Sequence, residues 1–362
     1  MSESESAATT VESSGAATAT TPCFLSVVTR TQGRRLRLLA QTLGSLAEQS
    51  DRDFEVLLVR HRTSSVEADA VQGVVAALPS WLRQRTRVLD VERPGRSAPL
   101  NDGFEAAGAR YAAILDDDDL ALPGWVSTFR DLEAAHPGQV LRSVAVRQPV
   151  RATAGPEGPE AVAVAPADRL WPPSFEFIDH LLVNHTPPVA LAYPLTVFRH
   201  LGERFDESLD TTEDWDFLMR AASLVGVASS PAETCIYRWW VEAEGSRAEH
   251  TEAEWRRNED VVRAKFDERE MRLPKGSASR LRHLITERDE QIAALIAERD
   301  REAANAQQLL GEAQDYLSRL NDAEERIRQQ RRSLRQLRAQ STQGLTDQAP
   351  TRPWARLKRR DR

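Results

Sequence analysis

Between Phe24 and Leu115, short apolar runs alternate with segments of helical rhythm, and this alternation limits the fold more than any other feature of the chain. FLSVVTR (24–30) is a β-branched run closed by the polar turn TQG. RRLRLLAQTLGSLAEQ (34–49) then sets Leu36, Leu38, Leu39, Leu43 and Leu46 at helical spacing. FEVLLV (54–59) and TRVLDV (86–91) read as a second and third strand with room for a helix between them. PLNDGFEAAGA (99–109) reads as a helix and RYAAIL (110–115) as a fourth strand. Strands alternating with helices are joined by right-handed crossovers into a mainly parallel sheet flanked by helices, so the expected class is α/β.

The rest of the chain has a different texture. Its 362 residues allow about two domains at roughly 150 residues each. Residues 1–22, mostly Ser, Ala, Thr and Glu, bury too little apolar area to offset their ordering entropy and are expected to be disordered. The Ala, Pro and Gly of RATAGPEGPEAVAVAPAD (151–168) suggest a mobile excursion within a core domain spanning 23–272. Residues 277–340 hold no proline and one glycine, with Leu310, Leu317, Leu320, Ile327 and Leu334 near a heptad seam. They read as a long helix in a coiled coil joining copies of the chain or a partner protein, with a single solvated helix as the plain alternative. Residues 341–362 read as a basic, flexible tail; PTRPWARLKRRDR, its last 13 residues, carries six basic residues, one acid and a Trp.

Several function classes are excluded by composition. A net charge of −7, from 48 basic and 55 acidic residues, offers no global field for nucleic acid. Cys23 and Cys235 are too few for a four-cysteine zinc site or a disulfide framework. No apolar run reaches the length of about 18 residues that a membrane helix needs, and MSESESAATT lacks the basic start and apolar core of a secretory signal. The expected location is the cytoplasm. The tail would suit contact with an anionic membrane face, a solubilising end being its plain alternative.

The chemistry gathers on carboxylates. ILDDDDLALPGW (114–125) sets four aspartates directly after an apolar strand, where they repel one another unless a cation or hydrogen bonds intervene. In open α/β sheets ligands bind at the carboxyl ends of strands, and oxygen-only ligands suit Mg²⁺ or Mn²⁺; a solvated acidic turn is the alternative. RFDESLDTTEDWDFLMRAA (204–222) gathers Glu213, Asp214 and Asp216 around Trp215 ahead of an apolar helical run. Acids there can cap a helix, or one beside an aromatic can have a raised pKa and act as a general base.

FLSVVTRTQGRRLRLLAQTLGSLAEQSDRDFEVLLV, APLNDGFEAAGARYAAILDDDDLALPGW and GERFDESLDTTEDWDFLMRAA, in that order, resemble the family 2 glycosyltransferases over about residues 24–240. The resemblance implies a GT-A fold, a Rossmann-like mixed sheet. It also implies inverting transfer of a sugar from a nucleotide-sugar to a glycan or lipid-linked acceptor in cell-envelope polysaccharide or glycoconjugate synthesis. Carried over by position, Asp118 is the best metal ligand, and Asp116 or Asp117 contacts the metal or the nucleotide ribose. Thr31 and Asn101 are donor-side contacts, Asp214 is the general base, and Glu213 positions Asp214 or the acceptor. Mg²⁺ or Mn²⁺ would stabilise the leaving diphosphate. Trp215 would offer a sugar a stacking face or else pack in the core, and His250 would complete a metal shell or lie at the surface.

Two stretches depart from the family pattern. Arg30-Thr31-Gln32-Gly33 stands where Pro-Thr-Tyr-Asn is frequent, and Arg60-His61 stands where an acidic pair often reads the nucleobase. A basic pair cannot accept a hydrogen bond from a base imide as a carboxylate does. That leaves room for a non-catalytic scaffold that binds nucleotide or glycan. A nucleotidyltransferase is disfavoured, because no Gly-rich, Lys-bearing loop follows the first strand.

Overall fold

A computed structural model describes residues 22–155, 158–241 and 250–346, and the chain divides into two compact units between Leu281 and Arg282. Residues 1–21 of the segment expected to be disordered and 347–362 of the basic tail lie outside the described residues. In the first unit the order is β1 (Leu25–Thr31), α1 (Leu36–Ala47), β2 (Phe54–His61), α2 (Ser65–Ala76), α3 (Ser80–Arg83), β3 (Thr86–Val91), α4 (Ser97–Ala106), β4 (Tyr111–Ile114), β5 (Leu120–Ala121) and α5 (Trp125–Ala135). There follow β6 (Val140–Gly155), β7 (Gly158–Ala163), α6 (Phe177–His180), β8 (Leu191–Pro194), α7 (Leu195–Arg199), α8 (Glu213–Val225), β9 (Val227–Trp240) and α9 (Glu252–Glu268). A last helix, α10 (Ser277–Thr346), begins in this unit and makes up the described part of the second.

The strands form one mixed sheet in the order β3-β2-β1-β4-β8-β6-β9-β5, with β7 paired to β6. β3, β2, β1 and β4 are mutually parallel, with Val27 of β1 opposite Val56 on one side and Ala113 on the other. β8 is antiparallel to β4 and β6, β6 runs parallel to β9, and β5 is antiparallel to β9. β1 therefore has β2 and β4 on opposite sides, and chain connections leave it in both directions. The crevice at such a switch point, beyond the carboxyl ends of the strands, is where open sheets bind ligands.

Both faces of the parallel part are covered, which explains its unbroken apolar runs. On one face Leu39, Leu43 and Leu46 of α1, Val71 of α2, and Trp125 and Phe129 of α5 pack on Val27, Val56, Leu58 and Ala113. On the other, Leu100 and Phe104 of α4 meet Val28, Leu57, Val59 and Ile114, with Phe198, Phe205 and Phe217 behind them. Gly103 lets α4 approach β1 closely, because a Cβ there would stand 2.5 Å from Val28 Cγ1.

The excursion expected at 151–168 is instead a β-hairpin. β6 and β7 pair antiparallel from Val150↔Ala163 to Gly155↔Gly158, and Glu160 of β7 is bonded by Arg37 of α1 at 2.8 Å. Small residues suit this peripheral ribbon, whose order comes from pairing with β6 and not from burial of its own side chains. In α10, Leu310, Leu317, Leu320, Ile327 and Leu334 are exposed. No helix among the described residues is long and apolar enough to cross a membrane.

Candidate active site

The turns that leave β1 and β4 bring the acidic run against arginines far away in sequence. Arg30, on β1, donates Nε and Nη2 to the two oxygens of Asp116 at 2.8 and 3.3 Å. Thr31 Oγ1 donates to Asp117 Oδ2 at 2.6 Å. Arg35, just before α1, forks across Asp117 and Asp118 with two bonds of 2.6 Å, and Trp240 at the end of β9 donates its indole N–H to Asp118 Oδ2 at 2.9 Å. Asp119 Oδ1 accepts the backbone N–H of Arg238 at 2.9 Å. These bonds answer the like-charge repulsion of four consecutive carboxylates.

Asp116, Asp117 and Asp119 are tuned differently. Burial would raise Asp116, but the Arg30 guanidinium holds it below the usual range. Burial pushes Asp117 up to about 6, with Arg35 pulling down and the charge of Asp118 pushing up. Burial together with Asp118 and Asp116 lifts Asp119 well above the usual carboxylate range, which suits a structural acid.

The second cluster opens α8. Thr212, the residue before it, has φ +64°, a left-handed conformation costly for a β-branched side chain. Glu213 accepts from Arg30 Nη1 at 3.0 Å and Arg96 Nε at 3.2 Å. Burial would raise its carboxyl, yet Arg96 and Arg30 keep it below the ordinary value. Asp214 is bonded by the Asn184 amide at 3.4 Å, and the Thr186 N–H on Asn184 Oδ1, at 3.0 Å, turns that amide toward it. Burial, then the negative Glu213 beside it, pushes Asp214 up to about 7. An ionised acid thus stands next to one that titrates near neutrality.

Both clusters border one cavity of about 740 Å³. Its lining includes Thr31, Arg34, Arg35, His61, Arg96 and the aspartates together with Trp171, Tyr237, Trp239, Trp240 and Trp255, with Asp214 on the wall. Of the residues singled out in the sequence, Thr31, Asp116, Asp117, Asp118, Glu213 and Asp214 are brought together here.

Others are placed elsewhere. Asn101 lies within α4 and not at its start, with its amide bonded to Phe205 O at 2.9 Å and Glu207 Oε1 at 3.0 Å, and its Oδ1 taking the Phe205 N–H at 2.9 Å. It latches α4 to the 205–207 segment and does not border the cavity. Trp215 reaches the cavity wall but is 1 % exposed, bonds His180 O at 2.8 Å and meets Phe266 edge-on, so it chiefly packs. Arg60 is held in a fork by Asp90 of β3 at 2.7 Å, leaving His61 as the member of that pair on the cavity. Trp239 and Trp240 border the cavity as well. His250 lies beside Glu254 at 4.0 Å. Arg35 belongs to the site without a signal of its own in the sequence, and Arg30 stood out only as a departure from the family pattern, since an arginine's partner cannot be read from its neighbours.

Among the described residues no three His, Cys, Asp or Glu side chains converge as a metal cage. Mg²⁺ is ordinarily held by one or two carboxylates, with substrate phosphates and water completing the shell. Asp118 at the cavity wall and Asp116 meet that requirement by chemistry, though Asp118 Oδ2 is bonded by Arg35 and Trp240 and Asp116 by Arg30. This donor set fits a cation that arrives with a nucleotide's phosphates better than one held beforehand.

Comparison with known proteins agrees with this arrangement. Residues 26–149 match the model of "Glycosyl transferase family 2". The "Uncharacterized glycosyltransferase MJ1057" of Methanocaldococcus jannaschii is 26% identical over 103 residues, 28% of this chain and 33% of that protein. This chain thus spans about a third of the curated relative's length. The crystal structure of S. aureus TarS 1–349 in complex with UDP-GlcNAc is similar with a TM-score of 0.51 at 17% identity, covering 66% of each chain. That likeness is one of fold, and it includes the mixed sheet whose strand ends carry the site. Residues 26–149 of the first unit thus match the glycosyl transferase family 2 model, and the unit has a GT-A-like fold similar to that of TarS.

Proposed function

We propose that the chain transfers a sugar from a nucleotide-sugar donor to an acceptor hydroxyl, with inversion at the anomeric carbon. The observation that carries this reading is Asp214, a carboxyl on the cavity wall that titrates near neutrality beside an ionised Glu213. A base with a pKa near the working pH combines the right protonation state with a useful affinity for the proton. As the acceptor oxygen attacks the anomeric carbon, its proton passes to Asp214. The bond from that carbon to the diphosphate oxygen breaks, and the electron pair leaves with the nucleoside diphosphate. One displacement from the opposite face inverts the centre.

The charged and hydroxyl side chains of the cavity would take the donor. Arg34, Arg35 and Arg96 offer charge to a diphosphate, and Thr31 and Asp117 offer hydrogen-bond partners near the ribose. Asp118 and Asp116 would hold Mg²⁺ or Mn²⁺ brought in with the phosphates; such an ion neutralises charge on the leaving group. The cavity's aromatic side chains would meet a glycan or lipid-linked acceptor, in keeping with envelope polysaccharide synthesis. The exposed seam of α10 would pair with a second copy, and glutamates placed at Leu317 and Leu320 should lower the mass found by sedimentation. The basic segment 350–362, outside the described residues, would touch anionic membrane, and flotation of the full chain with anionic vesicles checks this.

A panel of UDP-, GDP- and TDP-sugars with Mn²⁺, assayed for nucleoside diphosphate release with and without mono- and disaccharide acceptors, tests the transfer reading. UDP-GlcNAc comes first because TarS holds it. Release with one donor that stops on Asp214→Asn is the expected result. Release undiminished by that change would overturn Asp214 as the base.

A further inference from the structure

One side chain in the cavity bonds carboxylates on both sides of the reaction. Arg30 grips Asp116 with Nε and Nη2 and reaches Glu213 with Nη1 at 3.0 Å, the same Nη1 meeting the carbonyl of Arg96 at 2.8 Å. All three of its nitrogens are engaged, and its side chain is only 15% exposed. Charges therefore alternate through the wall: Asp116 negative, Arg30 positive, Glu213 negative, Arg96 positive. Asp214 follows Glu213 directly in α8, so whatever fixes Glu213 also fixes the first turn that carries Asp214.

We propose that Arg30 is a positioning residue for sugar transfer, tying Glu213 to the donor-side carboxylate Asp116 and thereby setting the orientation and charge environment of Asp214. The inference rests on the reading of Asp214 as the base. A guanidinium suits the task because its rigid planar fork spans two carboxylates; an ammonium is a point charge and holds one well.

The groups facing Asp214 fix the direction of the effect. Glu213, on the same helix, opposes its ionisation, whereas Arg96, before α4, and Arg30, on β1, favour it. Asn184 donates to it from the segment before β8. The phenols of Tyr193 on β8 and Tyr237 on β9 are pushed above their ordinary value by burial and stay neutral at working pH. Removing Arg30 takes away one of the two cations while Arg96 keeps Glu213 ionised, so the Asp214 midpoint should rise.

The test uses the full chain labelled with ¹³C at aspartate carboxyls and titrated by NMR, with the Asp214 signal assigned by its loss in Asp214→Asn. Arg30→Met should move the Asp214 midpoint up by roughly one pH unit. Arg30→Lys should leave the midpoint near the wild-type value. In the transfer assay Arg30→Lys should lower kcat about 10- to 100-fold, because the fork is lost, with KM for the donor within about threefold. An unchanged midpoint in Arg30→Met, or wild-type kcat in Arg30→Lys, would overturn the proposal. If Arg30→Met fails to fold, Arg30→Lys decides alone. If the wild-type chain transfers no sugar while the Arg30→Met midpoint moves, the transfer reading fails and the electrostatic link stands.

Discussion

The acidic run after β4 and the acidic pair opening α8 hold the same kind of side chain in opposite circumstances. Asp116, Asp117 and Asp118 are each bonded by an arginine, whereas Asp214 accepts from two uncharged donors, the Asn184 amide and the Trp215 backbone N–H. The Arg30 guanidinium holds Asp116 below its ordinary value, whereas burial and the ionised Glu213 beside it push Asp214 up to about 7. What separates a binding acid from a reacting acid here is the partner each was given, not the residue type.

The largest test of that contrast is Asp214→Asn, which should cost about 10²- to 10⁴-fold in kcat while leaving nucleoside diphosphate affinity within about threefold by calorimetry. Asp118→Asn should do the reverse, weakening the nucleoside diphosphate complex in Mn²⁺ roughly 10- to 100-fold, the scale of one bond to a charged group. Equal loss of kcat and of affinity in both variants would erase the distinction.

A pH profile sharpens it further. Asp214 must be ionised to accept a proton, so kcat/KM should rise about tenfold per pH unit toward a midpoint near about 7 and level off above it. Stability should run the other way. With a carboxyl at about 7 folded against 3.8 as its ordinary value, the folded state holds the extra proton between these limits. This group's contribution is therefore lost as pH rises through that window. Asp214→Asn should accordingly melt higher than wild type at pH 8, by scanning calorimetry. The smallest effect on activity belongs to Asn101→Ala, which should lower stability by about 1–3 kcal/mol, the cost of leaving buried groups unpaired, with donor KM unchanged.

The parallel core was readable because burial on both faces leaves continuous apolar strands between amphipathic helices. The acidic run was readable as a charge anomaly, but its solution was not: Arg30 lies 86 residues from Asp116 and Arg35 lies 82 from Asp117. Asn101 misled for the same reason, because its partners stand 104 and 106 residues on and its place in the helix does not tell which neighbour it meets. The β6–β7 hairpin was hidden by composition, since Ala, Gly and Pro signal a loop unless a partner strand supplies the order. Trp215 beside two acids could have faced a ligand or the interior, and only its neighbours Phe266 and His180 decide for the interior.

Thr212 has a consequence for anyone who would improve this protein. A β-branched residue at positive φ is held there by its surroundings, at a cost of about 1–3 kcal/mol, and it immediately precedes the pair that carries the proposed chemistry. Glycine would take that backbone shape without strain. A laboratory selection for heat resistance alone should therefore drift toward Thr212→Gly, gaining melting temperature while loosening the first turn of α8. Robustness and turnover would then part company at a single codon.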